Sequence, residues 1–434
     1  MLPKGGNDKE GGKPLRIGIY SNGPDTPTGY GVQTAQLARR LQRDGHEVHI
    51  FANHGQIAGV REWEGCAVWP QGVVQYGLDV VNDQAEMANV EAIITLYDTW
   101  VLNNAWGDDK RVISWAPIDH YPAPPEVSAW CRKHETIAMS EYGAKTLKES
   151  GIDVVATIPH AIEDVFCPGE STARERMKVP EDAFLIGINS ANIGITPPRK
   201  NWGGNLEAVA RVMRRHEDAY LYLHTDLARP GGLPLPVLIS ALGIPRDRIV
   251  VVPPTLYRGS LVDMAELATI YRSMDVLLAS TKGEGFGVPV IEAMGCGTPS
   301  IVSDFSASPE LVGDVGWKVP GQLDWDHNQG AWFTTPFTSL IVEALEEAYA
   351  ERGTEKAQER RAANVERAER YRADYVYETH WRPFIASLAE PPKRKGKSNA
   401  AKRRARKAKT TLPPADPRLI GTEYGPSYPE PEKR

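Results

Sequence analysis

Glu284 and Glu292 are separated by seven intervening residues, on either side of the glycine-rich turn Gly285-Phe286-Gly287-Val288-Pro289. The apolar run Val276-Leu277-Leu278-Ala279 ahead of them reads as a buried strand of a parallel sheet. Pro289 suits the first turn of a following helix, where its missing N–H costs nothing, and Gly297 with Pro299 stops that helix. A strand, a turn and a helix in this order aim the free N–H groups of the turn at one point. With the helix dipole behind them, they suit an anion such as a diphosphate. The two carboxylates would repel a phosphate, but each can accept two hydrogen bonds from a vicinal diol. A diphosphate flanked by a ribose on one side and a hexose on the other is a nucleotide-sugar. The competing reading is an ordinary strand–helix turn with two solvated glutamates.

Three further sites have suitable chemistry. Arg199 and Lys200 lie just before a helix expected over 204–215, where two cations can neutralise a diphosphate leaving group. Nothing in the chain resembles a metal-binding Asp-x-Asp, so these cations are the expected substitute for a metal, and no cofactor is required. Asp119 and His120 follow the strand expected at 111–115, beyond whose C-terminal end an α/β sheet holds its ligands. A lone histidine more often serves structure, and that alternative stays open here. Gly29 and Gly31, in the turn 21–31 before a helix at 32–43, either let backbone approach a phosphate or only satisfy turn geometry.

Strands read at 15–20, 46–51, 92–96, 111–115, 136–139, 154–158, 184–188, 219–224, 249–252 and 276–279, alternating with helical segments. Such alternation predicts doubly wound parallel sheets with right-handed crossovers. With 434 residues, more than one core is expected. The formal net charge of −6 is modest but unevenly spread. Cys66, Cys131, Cys167 and Cys296 lie far apart without a CxxC pair, which reads as free thiols rather than a disulfide framework or zinc site. No apolar run approaches the ~20 residues of a membrane span, and residues 1–14 are polar and unlike a secretory signal, so a cytoplasmic location is expected. Residues 336–371 read as strongly helical, and 375–388 as a last helix. From 390 onward a basic run without aromatics, then a proline-rich end, predicts a disordered tail able to contact nucleic acid or an anionic surface.

Glu284, the Gly285–Pro289 turn, Glu292-Ala293-Met294, Gly297-Thr298-Pro299, Ser303-Asp304 and Ser308-Pro309-Glu310-Leu311-Val312 together resemble the signature of retaining glycosyltransferases, family 4. Lys200-Asn201 and the segment 158–168 are similar to two more of its motifs, with His160 where asparagine is commoner. The family's companion arginine usually falls at a position that here is Gly194, leaving Arg199 as its substitute.

The resemblance implies a GT-B fold: two Rossmann-like domains, 15–175 on the acceptor side and 176–374 binding the nucleotide-sugar, with a helix at 375–389 packing back on the first. It implies a metal-independent, retaining transfer from a UDP-, GDP- or ADP-linked sugar to a hydroxyl on a glycan, protein or lipid. In that reading Glu292 holds the ribose and Glu284 the hexose. Lys200, Arg199 and the amides of Gly285, Phe286 and Gly287, joined by the Gly29/Gly31 loop, hold the diphosphate. His120, with Asp119 beside it, lines the sugar site. The alternatives are a GT-B nucleotide-sugar epimerase and a non-catalytic protein that binds nucleic acid or anionic surfaces through its tail.

Overall fold

A computed structural model describes residues 13–102, 106, 110–194 and 198–388; the expected basic tail from 390 lies outside the described residues. Sixteen strands are described there. The first sheet takes β1 (Arg16–Ser21), β2 (Glu47–Ala52), β3 (Arg61–Trp63), β4 (Cys66–Trp69), β5 (Ala92–Thr95), β6 (Val112–Ala116), β7 (Glu135–Ala138) and β8 (Val154–Thr157), in the order β3-β4-β2-β1-β5-β6-β7-β8. All pairs are parallel except the short β3–β4 ribbon. The second takes β9 (Phe184–Asn189), β10 (Ala219–His224), β11 (Ile249–Val251), β12 (Val276–Ala279), β13 (Ser300–Ser303) and β14 (Trp317–Val319), all parallel, in the order β11-β10-β9-β12-β13-β14. Both sheets are therefore doubly wound, as the alternating pattern predicts. A separate antiparallel ribbon pairs β15 (Gly321–Asp326) with β16 (Ala331–Pro336).

The central strands are buried on both faces, which is why they read as unbroken apolar runs. One apolar cluster runs from the first sheet (Ile17, Ile94, Trp115) through the linker (Ile158, Phe166) into the second half (Leu277, Phe286, Ile291). Three helices matter for the site. α1 (Gly29–Arg43) starts three residues earlier than its apolar pattern suggests, because Thr28 caps it by accepting from the Gly31 amide. α2 spans Trp202–Arg215 and α3 spans Val288–Gly295, with Pro289 in its first turn. The stretch 336–371, expected to be strongly helical, holds two helices, Thr338–Glu351 and Glu355–Ala368, and Gly353 between them is left-handed at φ +75°.

The last helical segment, from Ala373 to Leu388, turns back onto α1. Asp374 bridges Arg40 and Arg43, Tyr377 donates to Asp44, and the Trp381 ring stands edge-on to Trp115 at 4.9 Å. On the way, the helix Ala173–Met177 spans the boundary expected at 175/176; its Arg174 is bound to Asp275 and to the Ser273 carbonyl of the second half. All four cysteines are free thiols, and no helix among the described residues is long and apolar enough to cross a membrane.

Candidate functional site

A doubly wound sheet leaves a crevice where the chain reverses its direction of strand addition, since the loops on either side part there. In the second sheet that point lies between β9 and β12. Arg199 and Lys200 follow β9, and Lys282, Gly283 and Glu284 follow β12, so the topology brings the two segments together. The Lys282 amide donates to the Arg199 carbonyl at 2.8 Å, tying the loops. Lys200 Nζ lies 2.6 Å from Glu284 Oε1, and the Arg199 guanidinium donates to Glu284 Oε2 at 3.0 Å and to the Gly283 carbonyl at 2.7 Å. Arg199 thus points into the crevice.

The first sheet supplies the other wall. Asp98 follows β5, and Asp119 and His120 follow β6. Arg199 also comes within 3.5 Å of Asp119 Oδ2. His120 is buried; its Nδ1 is 2.6 Å from Asp119 Oδ1, its Nε2 is 3.2 Å from Asp326 Oδ2, and its ring lies 4.0 Å from that of Phe333. Burial alone would raise the Asp119 carboxyl, but the hydrogen bond and charge of His120 and the charge of Arg199 outweigh it and bring it to about 2. Asp98 goes the other way, raised by its surroundings and by the charge of Asp119. Burial would likewise raise Glu284, yet Lys200 and Arg199 lower it. Lys200 is lowered, by burial first and then by the neighbouring guanidinium.

The glycines of the turn do two different jobs. Gly287 caps α3 at φ +116°, a region that L side chains rarely adopt. Gly285 and Gly283 instead admit the opposite wall. A Cβ on Gly285 would sit 2.5 Å from Pro117 Cβ and 2.9 Å from its Cα, and one on Gly283 would sit 2.3 Å from the Asp119 carbonyl oxygen. Phe286 keeps its ring in the apolar seam, edge-on to His160 at 5.2 Å and to Tyr371 at 5.8 Å. His160 stands between Phe286 and Trp115 and is pushed down by burial to about 3, so it is a neutral packing element. Gly31 is likewise closed in: its amide is used by Thr28, and a Cβ would meet the Thr26 carbonyl oxygen at 2.2 Å. Gly29 is exposed, with open space around it. Gly285→Ala must push the two walls apart, and we expect it to cost about 2 kcal/mol, as overpacking commonly does. A melting temperature equal to that of the wild type would contradict this close approach.

Glu292 lies on the inner side of α3, 7% exposed, and accepts from the Tyr271 hydroxyl at 2.9 Å; Tyr271 in turn accepts from the Asn189 side-chain amide at 2.7 Å. Burial raises its carboxyl to about 7, with the Tyr271 hydrogen bond opposing.

Asp98 and Asp326 are the site residues that the sequence pattern does not single out. Asp326 arrives on the β15–β16 ribbon, which reaches across so that Tyr121 and Trp332 exchange both backbone hydrogen bonds, at 3.0 and 2.8 Å. The ribbon has a signal of its own: two six-residue strands flank the polar turn His327-Asn328-Gln329-Gly330. Among the described residues, no group of three His, Cys, Asp or Glu side chains is placed to hold a metal ion.

Comparison with known proteins adds three findings. Residues 193–326 match the family model for glycosyl transferases group 1. An MMP alpha-(1->4)-mannosyltransferase of Mycolicibacterium hassiacum is 35% identical over 152 residues, which cover 35% of this chain and 31% of that protein. The match therefore spans about a third of that relative's length. Among solved structures, a sucrose-phosphate synthase of Thermosynechococcus elongatus aligns over 86% of this chain and 99% of its own, with TM-score 0.68 at 16% identity. The Anabaena protein HepE, in complex with UDP and glucose, aligns over 87% and 100%, with TM-score 0.64 at 15% identity. At such identities the structural likeness speaks for the fold.

Proposed function

We propose that this chain, a GT-B glycosyltransferase by its fold and by the group 1 match of residues 193–326, moves a hexose from a nucleotide-diphosphate donor to an acceptor hydroxyl, with retention of anomeric configuration. One observation carries the reading: two parallel sheets deliver Arg199, Lys200 and Glu284 from one side, and Asp119 and His120 from the other, to a single point at their strand ends. The solved UDP and glucose complex of HepE and the mannosyltransferase relative support a nucleotide-linked hexose as donor.

In this reading the present ion pairs are the resting arrangement. Lys200 and Arg199 are held by Glu284 and Asp119 until a diphosphate takes over their donors. Glu284, released, then accepts hydrogen bonds from hexose hydroxyls, and Glu292 accepts from the ribose diol. As the bond between the anomeric carbon and the diphosphate oxygen breaks, the growing negative charge is met by fixed cations, so that charge neutralisation needs no metal. The acceptor hydroxyl attacks the same face and gives its proton to the departing phosphate oxygen, which yields retention. His120 stands against the sugar. Water is kept out by the close fit of the 117–119 and 283–285 segments.

A thermal-shift series with UDP-, GDP- and ADP-linked hexoses tests the donor, and proton NMR of the freshly released sugar or product tests the anomer. A melting shift with one nucleotide class and an initial product of the donor's own configuration are expected. No shift with any of them would overturn the reading, and an inverted first product would overturn retention.

A further inference from the structure

Tyr121, Trp332 and Trp325 form one row. Trp332 exchanges both backbone hydrogen bonds with Tyr121 and is the direct cross-strand partner of Trp325. An antiparallel strand turns a residue's N–H and C=O to the same side, so the Trp332–Trp325 pair is of the non-hydrogen-bonded, closer kind. Their indole rings meet edge-on at 4.9 Å. Cross-strand partners share a face, which places all three aromatics on one side of the two-stranded ribbon and the single Tyr121 bridge at its edge. Their sequence neighbours His120, Phe333 and Asp326 lie on the other side and meet each other there. The inner face thus belongs to the candidate site. The outer face presents its aromatics to solvent, 42%, 38% and 39% exposed for Tyr121, Trp332 and Trp325.

We propose that this row is a saccharide subsite, and that the acceptor is a glycan whose sugar rings, beyond the one that reacts, stack on it. The inference rests on the glycosyltransferase reading above. Three arguments select a glycan over a protein or lipid. Strand spacing sets the row's length at roughly 10 Å, the reach of about two linked sugar rings. The large apolar side chains exposed on this stretch are all aromatic, Trp325, Trp332 and the following Phe337, whereas a protein or membrane contact would add exposed aliphatics. The turn joining the two strands offers exposed His327 next to the row, which adds a polar group to a flat apolar surface, the mixture that binds the hydroxyl edge and the C–H face of a sugar. The row also shares its ribbon with Asp326, so a chain seated outside lies one strand-thickness from His120.

Saturation-transfer NMR on the full chain, with linear tetrasaccharides of glucose and of mannose as probes, tests this. Transfer to at least one probe is expected, weakened about tenfold in Trp325→Ala and in Trp332→Ala, and largely restored by phenylalanine at either position. The shift produced by the donor in thermal melts should be the same in these variants as in the wild type, which separates failure of the subsite from failure of the donor site. No transfer to any probe, or transfer unchanged in the Trp325→Ala/Trp332→Ala double variant, would overturn the proposal. So would a change of oligomeric state in the double variant by sedimentation, which would assign the row to a second copy.

Discussion

Lys200→Ala is expected to weaken binding of the nucleotide-sugar donor by about two to three orders of magnitude, read by calorimetry with whichever nucleotide class raises the melting temperature. Truncating one member of a buried, hydrogen-bonded charge pair commonly costs about 2–5 kcal/mol, or roughly 1.5 to 3.5 orders of magnitude, which brackets that loss. Lys200 Nζ sits 2.6 Å from Glu284 and is largely enclosed, so its removal takes a cation from the proposed diphosphate position and leaves Glu284 with Arg199 alone. A stability effect accompanies it. Glu284 is held below the ordinary carboxylate range, so its pairing stabilises the fold above the unfolded-state value and that contribution is lost as pH falls. The variant should therefore melt lower than the wild type at neutral pH, and the gap should narrow in acid. Lys200→Arg keeps the charge with a different geometry and is expected to recover only part of the affinity. Donor affinity unchanged in Lys200→Ala would end the assignment of this residue to the diphosphate.

What could be read from the sequence follows from how local each feature is. The turn 283–287 and α3 were legible because strand, glycine, proline and helix signals fall within twenty residues. Meeting of Lys200 with Glu284 also follows from topology, since both come after strands that flank the reversal of a doubly wound sheet. Helix starts were less legible: α1 and α2 begin two or three residues early, where capping and packing rather than apolar spacing decide. That Gly283 and Gly285 admit the opposite wall was not legible, because Pro117 and Asp119, which approach them, lie more than 160 residues away in the chain. Asp326 was hidden for the same reason. It alternates with tryptophans on a ribbon whose inner face matters only once His120 is set against it, 206 residues distant.

The two walls also explain why the site is electrostatically quiet at rest. Each cation of the crevice has a carboxylate partner, and each ring nitrogen of His120 faces one. In the proposed reading, a diphosphate that takes Lys200 and Arg199 would free Glu284 and weaken the hold on Asp119, so donor binding and release of these carboxylates would be the same exchange. Such exchange lets a dianionic ligand enter without stranding a buried charge, which would otherwise cost several kcal/mol.

Glu292 extends this logic to a conflict between stability and binding. Its folded-state value of about 7 stands above the ordinary 4.5, so the carboxyl is neutral in the fold at mildly acid pH and becomes a buried anion above 7. For a group raised in this way, stability is fullest below the unfolded value and is lost as pH rises from about 4.5 through 7. The difference corresponds to about 3 kcal/mol as an upper figure at alkaline pH. Glu292→Gln removes the ionisation, keeps the shape and keeps an acceptor for Tyr271. The variant is therefore expected to melt a few degrees higher than the wild type at pH 8, with the advantage vanishing below about pH 4.5. The same change should weaken donor binding severely, because the amide keeps one acceptor oxygen, already used by Tyr271, and puts an N–H₂ donor where the second carboxylate oxygen would accept from the ribose diol. Wild-type affinity should rise through pH 7 as the carboxylate forms, and that rise should be absent in the variant. A variant less stable at pH 8, or one that binds donor as tightly as the wild type, would show that Glu292 is a packing residue and not the one that reads the ribose.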